Sequence, residues 1–359
     1  MGRPTKITVD LNALQHNLLE IKKLAPTSKI LAMVKSNAYG HGLERIGLAL
    51  KDADALGVAS IEEGTALREA GVKNPIVLME GLFSSDELGQ ALELDFTLVL
   101  HHEAQVSMLE SLKTYERPID CWLKLDSGMH RLGFNINDFE KVYARLQNLD
   151  FINKPIGIMT HFAKADEVHS GYTEKQMNDF YGLADKYNVP LTLCNSAGIL
   201  SWPKAHASWV RPGLMLYGAC PIKSESASSH NLKPVMTFST KIVAIQNLKK
   251  GDKIGYGGTF ECPEDMPIGV IAVGYGDGYP QFTKNGTPML VNNIKCALAG
   301  RVSMDMATVD LRNCPYAKVG DKVSLWGDEL PIEEIAENNL TSSHELLTRI
   351  TPRVKVEVK

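Results

Sequence analysis

The chain of 359 residues reads as α/β plus all-β: a (β/α)8 TIM-like barrel over 11–228, then a mostly antiparallel β domain over 229–359. Three observations predict this. From residue 11 to about 220, short apolar runs alternate with amphipathic stretches. A polar tract, Lys223-Ser224-Glu225-Ser226-Ala227-Ser228-Ser229-His230, then interrupts the pattern as a linker would. Beyond it the apolar period drops to two, as in a half-buried sheet. The length also exceeds what single cores usually reach, so two domains are the default.

The candidate barrel strands are 30–34, 56–58, 76–79, 97–100, 121–125, 155–159, 191–194 and 209–210, eight in number. Between them 61–70, 84–94, 103–113, 138–148 and 174–186 read as helices, several opening on a Ser or Asp cap or an acidic first turn. Eight strands with intervening helices fit a barrel, although a doubly wound open sheet gives a similar alternation. In the last third, 238–245, 268–273, 289–291 and 322–325 read as strands, with turns at Lys249-Lys250-Gly251-Asp252 and Asn285-Gly286.

Composition narrows the function classes. Hydrophobic residues make up 44%, charged residues 22%, and the net charge is -4, without the basic excess that nucleic-acid binding requires. No apolar stretch approaches a membrane span, and Met1-Gly2-Arg3-Pro4-Thr5-Lys6 lacks the apolar region of a secretory signal, so a cytoplasmic chain with a small-molecule partner is expected. Cysteines at 121, 194, 220, 262, 296 and 314 are scattered, with no Cys-x-x-Cys and no histidine spacing suited to zinc; reduced thiols and no metal are expected.

Lys35 is the residue the pattern singles out. In Ile30-Leu31-Ala32-Met33-Val34-Lys35-Ser36-Asn37-Ala38-Tyr39-Gly40-His41-Gly42 an apolar run stops at Val34 and a polar, glycine-containing turn begins. A buried strand puts the Lys35 amine at its C-terminal end, where barrels of this kind build their sites. Desolvation there favours the neutral amine, the form that condenses with an aldehyde. Lys124, His161, Asn195 with Ser196, and Arg211 fall at or just after the ends of other proposed strands, so they converge on one mouth. Ser196, and Gly213 with Leu214, follow strands in short turns whose hydroxyl and N–H groups suit a dianion, and Tyr39 adds a phenol. Alternation in Leu123-Lys124-Leu125 sends Lys124 to the face opposite the leucines, where a bare cation beside Arg131 would be repelled. Gly274-Tyr275-Gly276-Asp277-Gly278 looks like a nucleotide loop, but Tyr279-Pro280 follows where a helix would begin, which argues against a dinucleotide fold.

Taken whole, 34–42 resembles the pyridoxal-phosphate lysine motif of alanine racemases, a fold-type III barrel family. Matching segments follow in the family's order: Lys124-Leu125-Asp126-Ser127-Gly128-Met129-His130-Arg131-Leu132-Gly133, His161-Phe162-Ala163-Lys164-Ala165-Asp166, Asn195-Ser196-Ala197-Gly198 and Arg211-Pro212-Gly213-Leu214-Met215-Leu216-Tyr217-Gly218. Gly255-Tyr256-Gly257, the 274–278 segment and Gly300-Arg301-Val302-Ser303-Met304-Asp305 complete a series that spans nearly the whole chain. The resemblance implies a closed barrel, with an N-terminal strand near 6–10 crossing into the β domain.

It also implies roles. Lys35 would hold pyridoxal 5'-phosphate as a Schiff base and act as base on one face of the substrate, and Tyr256 of the partner subunit on the other. Tyr39, Ser196, Gly213 and Leu214 would bind the cofactor's phosphate. Arg211 would meet the pyridine nitrogen; a guanidinium cannot take up the ring proton, so the ring becomes a weaker electron sink. Lys124 would be a carbamate that orients Arg131 toward the substrate carboxylate. Met304 would offer that carboxylate its backbone N–H, and Tyr275 would form a gate with Tyr256. His161, counted among the cofactor's neighbours, is expected with Arg211 to supply the positive charge a tyrosine base needs. One position departs: Pro352 stands where some relatives carry a tyrosine that reaches the phosphate, so that contact is expected to be missing.

The implied activity is the interconversion of L- and D-alanine by a homodimer with shared sites, supplying D-alanine for peptidoglycan synthesis. Two rivals stay open: a broad-specificity or serine racemase, which needs a larger and more polar pocket, and a single-domain pyridoxal-phosphate carrier without turnover. Residues 231–359, with Tyr256, argue against the carrier. A basic amino-acid decarboxylase needs a cysteine-bearing segment from the second domain that is not found.

Overall fold

The structure, a computed structural model, describes residues 2–112, 117–223 and 225–359. Two compact units emerge: Leu18–Leu216 with 221–224, and a second made of 1–17, Tyr217–Cys220 and Glu225–Lys359.

After β1 (Lys6–Val9), eight strands form the first unit: β2 (Lys29–Met33), β3 (Ala55–Val58), β4 (Ile76–Leu78), β5 (Phe96–Leu100), β6 (Cys121–Lys124), β7 (Gly157–Met159), β8 (Leu191–Thr192) and β9 (Trp209–Val210). Each pairs in parallel with the next, and β9 returns to β2 through Lys29↔Trp209 and Ile30↔Val210, closing the barrel. The eight expected strands are these eight. Closure excludes the open sheet, and the strands read as continuous apolar runs because both faces are covered.

The expected helices are present as Ile61–Glu69, Glu87–Glu93, Glu103–Glu110, Ile136–Gln147 and Tyr172–Ala184. Lys113 lies outside the described residues. The acidic first turns are present, at Glu62 with Glu63, Glu87, Glu103, Asp138 and Glu174, but the Ser and Asp caps are not made. Ser60 and Asp86 stand at N-cap positions without a side-chain cap bond, whereas Asn135 Oδ1 accepts from Asp138 N and Asn195 Oδ1 from Gly198 N. Asn195 thereby sets the start of the Ser196–Ser201 helix and the position of Ser196.

The second unit is a mostly antiparallel sheet in the order β13-β16-β15-β14-β17-β10-β1-β18. Its strands are β10 (Met236–Leu248), β13 (Met266–Ile271), β14 (Pro288–Val291), β15 (Ile294–Leu298), β16 (Ala307–Asp310), β17 (Lys322–Trp326) and β18 (Lys355–Val358); β11 (Lys253–Ile254) and β12 (Phe260–Glu261) form a separate hairpin. Strand β10 serves twice: its first half pairs with β1 and β17, and after a register shift between Ile242 and Ala244 its second half pairs with β13. The β1–β18 pair is parallel. Phe238, Trp326 and Tyr279 pack at the centre, with ring centroids 4.8 and 6.2 Å apart. Strands β15, β16 and β18 were not expected. The first was hidden by Asn292-Asn293, both at positive φ, which make a two-residue hairpin turn without glycine. Among the described residues no helix is long and apolar enough to cross a membrane.

Candidate active site

Directly after β2 the backbone turns the wrong way for L-residues. Ser36, Asn37, Ala38 and Tyr39 all have φ between 51° and 55°, a left-handed turn before Gly40 at φ 79°. Each non-glycine residue there costs about 1–2 kcal/mol, so the surroundings must hold it. Glu63 does so at the start, accepting from Ser36 N at 2.6 Å and Ala59 N at 2.8 Å. Asn37 Oδ1 accepts from Leu43 N at 2.9 Å. The turn leaves Lys35 at the strand's end and returns Tyr39 to the interior, where burial pushes its phenol up to about 12.

Around Lys35 positive charge collects. Lys124 is buried at the end of β6, and burial, then Arg211, Arg131 and Lys35, push its amine down to about 8, opposed by Glu80. Arg211 is buried after β9. Its Nη1 donates to Thr192 Oγ1 at 2.6 Å, and its Nη2 donates to Thr160 O at 2.6 Å and Leu193 O at 3.1 Å. Those acceptors are neutral, and no carboxylate pairs with Arg211 among the described residues. Burial lowers its guanidinium to about 10, still charged at neutral pH.

His161 Nδ1 lies 3.3 Å from Arg211 Nη2. Desolvation, with Arg211, Lys124, Arg131 and Lys35 nearby, holds the imidazole well below its ordinary pKa. The expectation that His161 supplies positive charge is therefore corrected: burial first, and the cations around it next, disfavour the protonated imidazole. Sequence reasoning missed Glu80, whose Oε1 is 3.9 Å from Lys35 Nζ and whose backbone carbonyl accepts from His101 Nε2 and Gln105 Nε2. It stands two residues past β4, so the strand-end argument that found the others also reaches it.

Ser196 Oγ accepts from Gly213 N at 2.9 Å and Met215 N at 3.3 Å. With both lone pairs used, its own proton is left to donate outward. The N–H of Leu214, between those donors, has no acceptor among the described residues. A Cβ on Gly213 would stand 2.4 Å from Tyr39 Oη, so only glycine lets the phenol close on this turn. Ser196, Gly213, Leu214 and Tyr39 thus form one concave group.

The remaining expected residues belong to the β unit. Tyr256 opens a short turn, Tyr256–Gly258, and is 70% exposed. Tyr275 N donates to Ser303 O at 3.0 Å and Gly276 N to Met304 O at 2.9 Å, which brings Tyr275 and Met304 together. Arg301 lies over the exposed Phe282 ring, 5.7 Å from its centroid. Pro352 offers no hydroxyl; its neighbour Thr351 donates from Oγ1 to Gly276 O at 2.8 Å.

Comparison with known proteins decides the family. The domain described as "Alanine racemase, N-terminal domain" matches residues 9–221, and "Alanine racemase, C-terminal domain" matches 235–358. The chain belongs to the alanine racemase family. Alanine racemase of Coxiella burnetii is 47% identical over 360 residues, covering 99% of this chain and 98% of its own. That of Shewanella amazonensis is 44% identical over 354 residues, covering 97% of each. Among solved structures, biosynthetic alanine racemase from Pseudomonas aeruginosa superposes with a TM-score of 0.97 at 40% identity over 100% of both chains. Alanine racemase from Acinetobacter baumannii gives 0.95 at 38%, also over 100% of both. Family and fold thus agree with the resemblance read from the sequence, and an amino-acid racemase is the enzyme class that follows.

Proposed function

We propose that this chain interconverts L- and D-alanine with pyridoxal 5'-phosphate bound at the barrel mouth, as a homodimer whose sites are shared between copies. The observation that carries the reading is the convergence, at one end of one barrel, of Lys35, the lowered amine of Lys124, an Arg211 with only neutral acceptors, and the Ser196–Leu214 cradle. These residues fit the cofactor: a cradle of donors for a dianion, and a buried cation for a ring nitrogen.

When bound, the cofactor supplies an aldehyde for the Lys35 amine and a ring that acidifies the substrate's Cα–H. Ser196, Leu214 N–H and Tyr39 would hold its phosphate. Arg211, charged at neutral pH, would donate to the ring nitrogen without protonating it. Lys124 has the neutral fraction needed to add to carbon dioxide, its amine giving up one proton to solvent; the carbamate so formed would be an anion that turns Arg131 toward the substrate carboxylate, which Met304 N–H would also meet. Lys35 Nζ moves the Cα proton on one face. Tyr256 Oη, exposed on its own chain, moves it on the opposite face of the partner's substrate. Tyr275, as a gate with Tyr256, would limit the entrance to a methyl side chain. The product would feed peptidoglycan synthesis in the cytoplasm.

Optical inversion of L-alanine, followed with and without added cofactor and across a panel including L-serine, tests this. Cofactor-dependent racemisation with alanine far ahead is the expected result. Comparable rates on larger polar side chains would replace it with a broad-specificity racemase, and no turnover by cofactor-saturated protein would leave a carrier.

A further inference from the structure

We infer that Asp277, Arg353 and Arg3 form a clamp that positions Tyr275 and Met304, and so sets which side chains the site admits; the inference rests on the roles proposed above for those two residues. Tyr275 sits in Gly274-Tyr275-Gly276-Asp277-Gly278, between two glycines in a conformationally permissive stretch of the β unit. Such a segment does not hold a phenol in place by itself. Asp277, although a carboxylate, is fully buried. Its Oδ2 accepts from Arg3 Nη2 at 2.6 Å and Gly274 N at 2.9 Å, and its Oδ1 lies 2.9 Å from Arg353 Nε.

The same two arginines reach the residue after Met304. Arg353 Nη2 donates to Asp305 Oδ1 at 2.5 Å, and Arg3 Nη2 donates to Asp305 O at 2.7 Å. Between the turns the backbones touch: a Cβ on Gly274 would stand 2.2 Å from Met304 O. Two turns remote in sequence are therefore locked into one body by side chains from the two ends of the chain. A buried carboxylate is a costly way to fill space, and an apolar residue would do that as well. What the charge-assisted bonds to Oδ2 add is direction, and the Arg353 ion pair at Oδ1 adds charge beside them. Here that direction fixes the Tyr275 phenol and the Met304 N–H relative to each other.

Arg353 is part-exposed and touches no proposed reacting group, so it is the place to test. In cofactor-loaded protein, Arg353→Met is expected to speed hydrogen exchange of 274–278 and 303–306 about tenfold or more while β13 keeps its protection. The ratio of kcat/KM for L-serine to that for L-alanine should rise about threefold or more, and Arg353→Lys should restore much of both. Asp277→Asn serves as a second variant where it folds. Unchanged exchange, or exchange that rises equally in β13 with both substrates losing rate alike, overturns the clamp. Tyr275→Ala separates the two readings. If it leaves the substrate ratio unaltered while Arg353→Met still frees both turns, the clamp stands and the gate reading falls; if it shifts the ratio while Arg353→Met frees nothing, the clamp falls.

Discussion

Arg211 Nη2 faces His161 Nδ1 at 3.3 Å, and because a guanidinium can only donate, the imidazole presents its bare nitrogen there and carries its proton on Nε2. With desolvation first, and the adjacent Arg211 guanidinium next, holding it down, His161 should stay neutral across physiological pH. Nitrogen-15 spectra of histidine-labelled protein should show one imidazole fixed in the Nε2–H tautomer from about pH 5.5 to 8. A protonation step inside that range would contradict the assignment.

Lys35 should be the residue that holds the cofactor. Borohydride reduction of the loaded protein, then peptide mapping, is expected to place the label on Lys35 alone. A label on Lys124 or Lys164 would move the site.

Lys124 carries a pH dependence whose sign follows from its lowered amine. With a pKa of about 8, roughly a tenth is neutral at pH 7 and roughly nine tenths at pH 9. At fixed dissolved carbon dioxide, the carbon-13 carbamate signal and the return of activity after stripping the gas should both increase from pH 7 to 9. Lys124→Ala should lose about 10²-fold or more in rate and be partly rescued by acetate. Full activity in that variant removes the carbamate.

Gly213→Ala should weaken cofactor binding about 10–100-fold, since its methyl meets Tyr39 Oη at 2.4 Å. Adding Tyr39→Phe removes the clashing oxygen, so the double variant should bind better than Gly213→Ala alone, measured by absorbance titration. Strictly additive losses would mean that the two residues do not share a cradle.

Sharing of sites between copies is tested by mixing. Lys35→Ala and Tyr256→Phe homodimers should each be nearly inactive. Random exchange makes half the dimers hybrid, each with one intact site of two, so activity should recover to about a quarter of wild type. Continued inactivity after verified exchange would place both residues in one chain's site.

The barrel was legible because its signal is local: five of the eight apolar runs stop at or just before a candidate functional side chain, and β2 with Lys35 is the plainest case. Asn292-Asn293 hid β15 because two asparagines at positive φ do the work usually advertised by glycine. Glu80 was missed because an acidic residue after an apolar run is ordinary until its distance to Lys35 is known. The neutrality of His161 was out of reach for a different reason. It depends on how deeply the ring is buried and on which cations share that space, which no single segment contains.

The first strand of the chain is also among the last to be satisfied. β1 is made before both of its partners, β10 and β18, which begin at Met236 and Lys355. All eight barrel strands are translated in the interval, from Lys29 to Val210, and from β3 onward each pairs with one already made. Cutting the chain before Lys355 would therefore cost more than a frayed tail: it would strip the outer neighbour from β1.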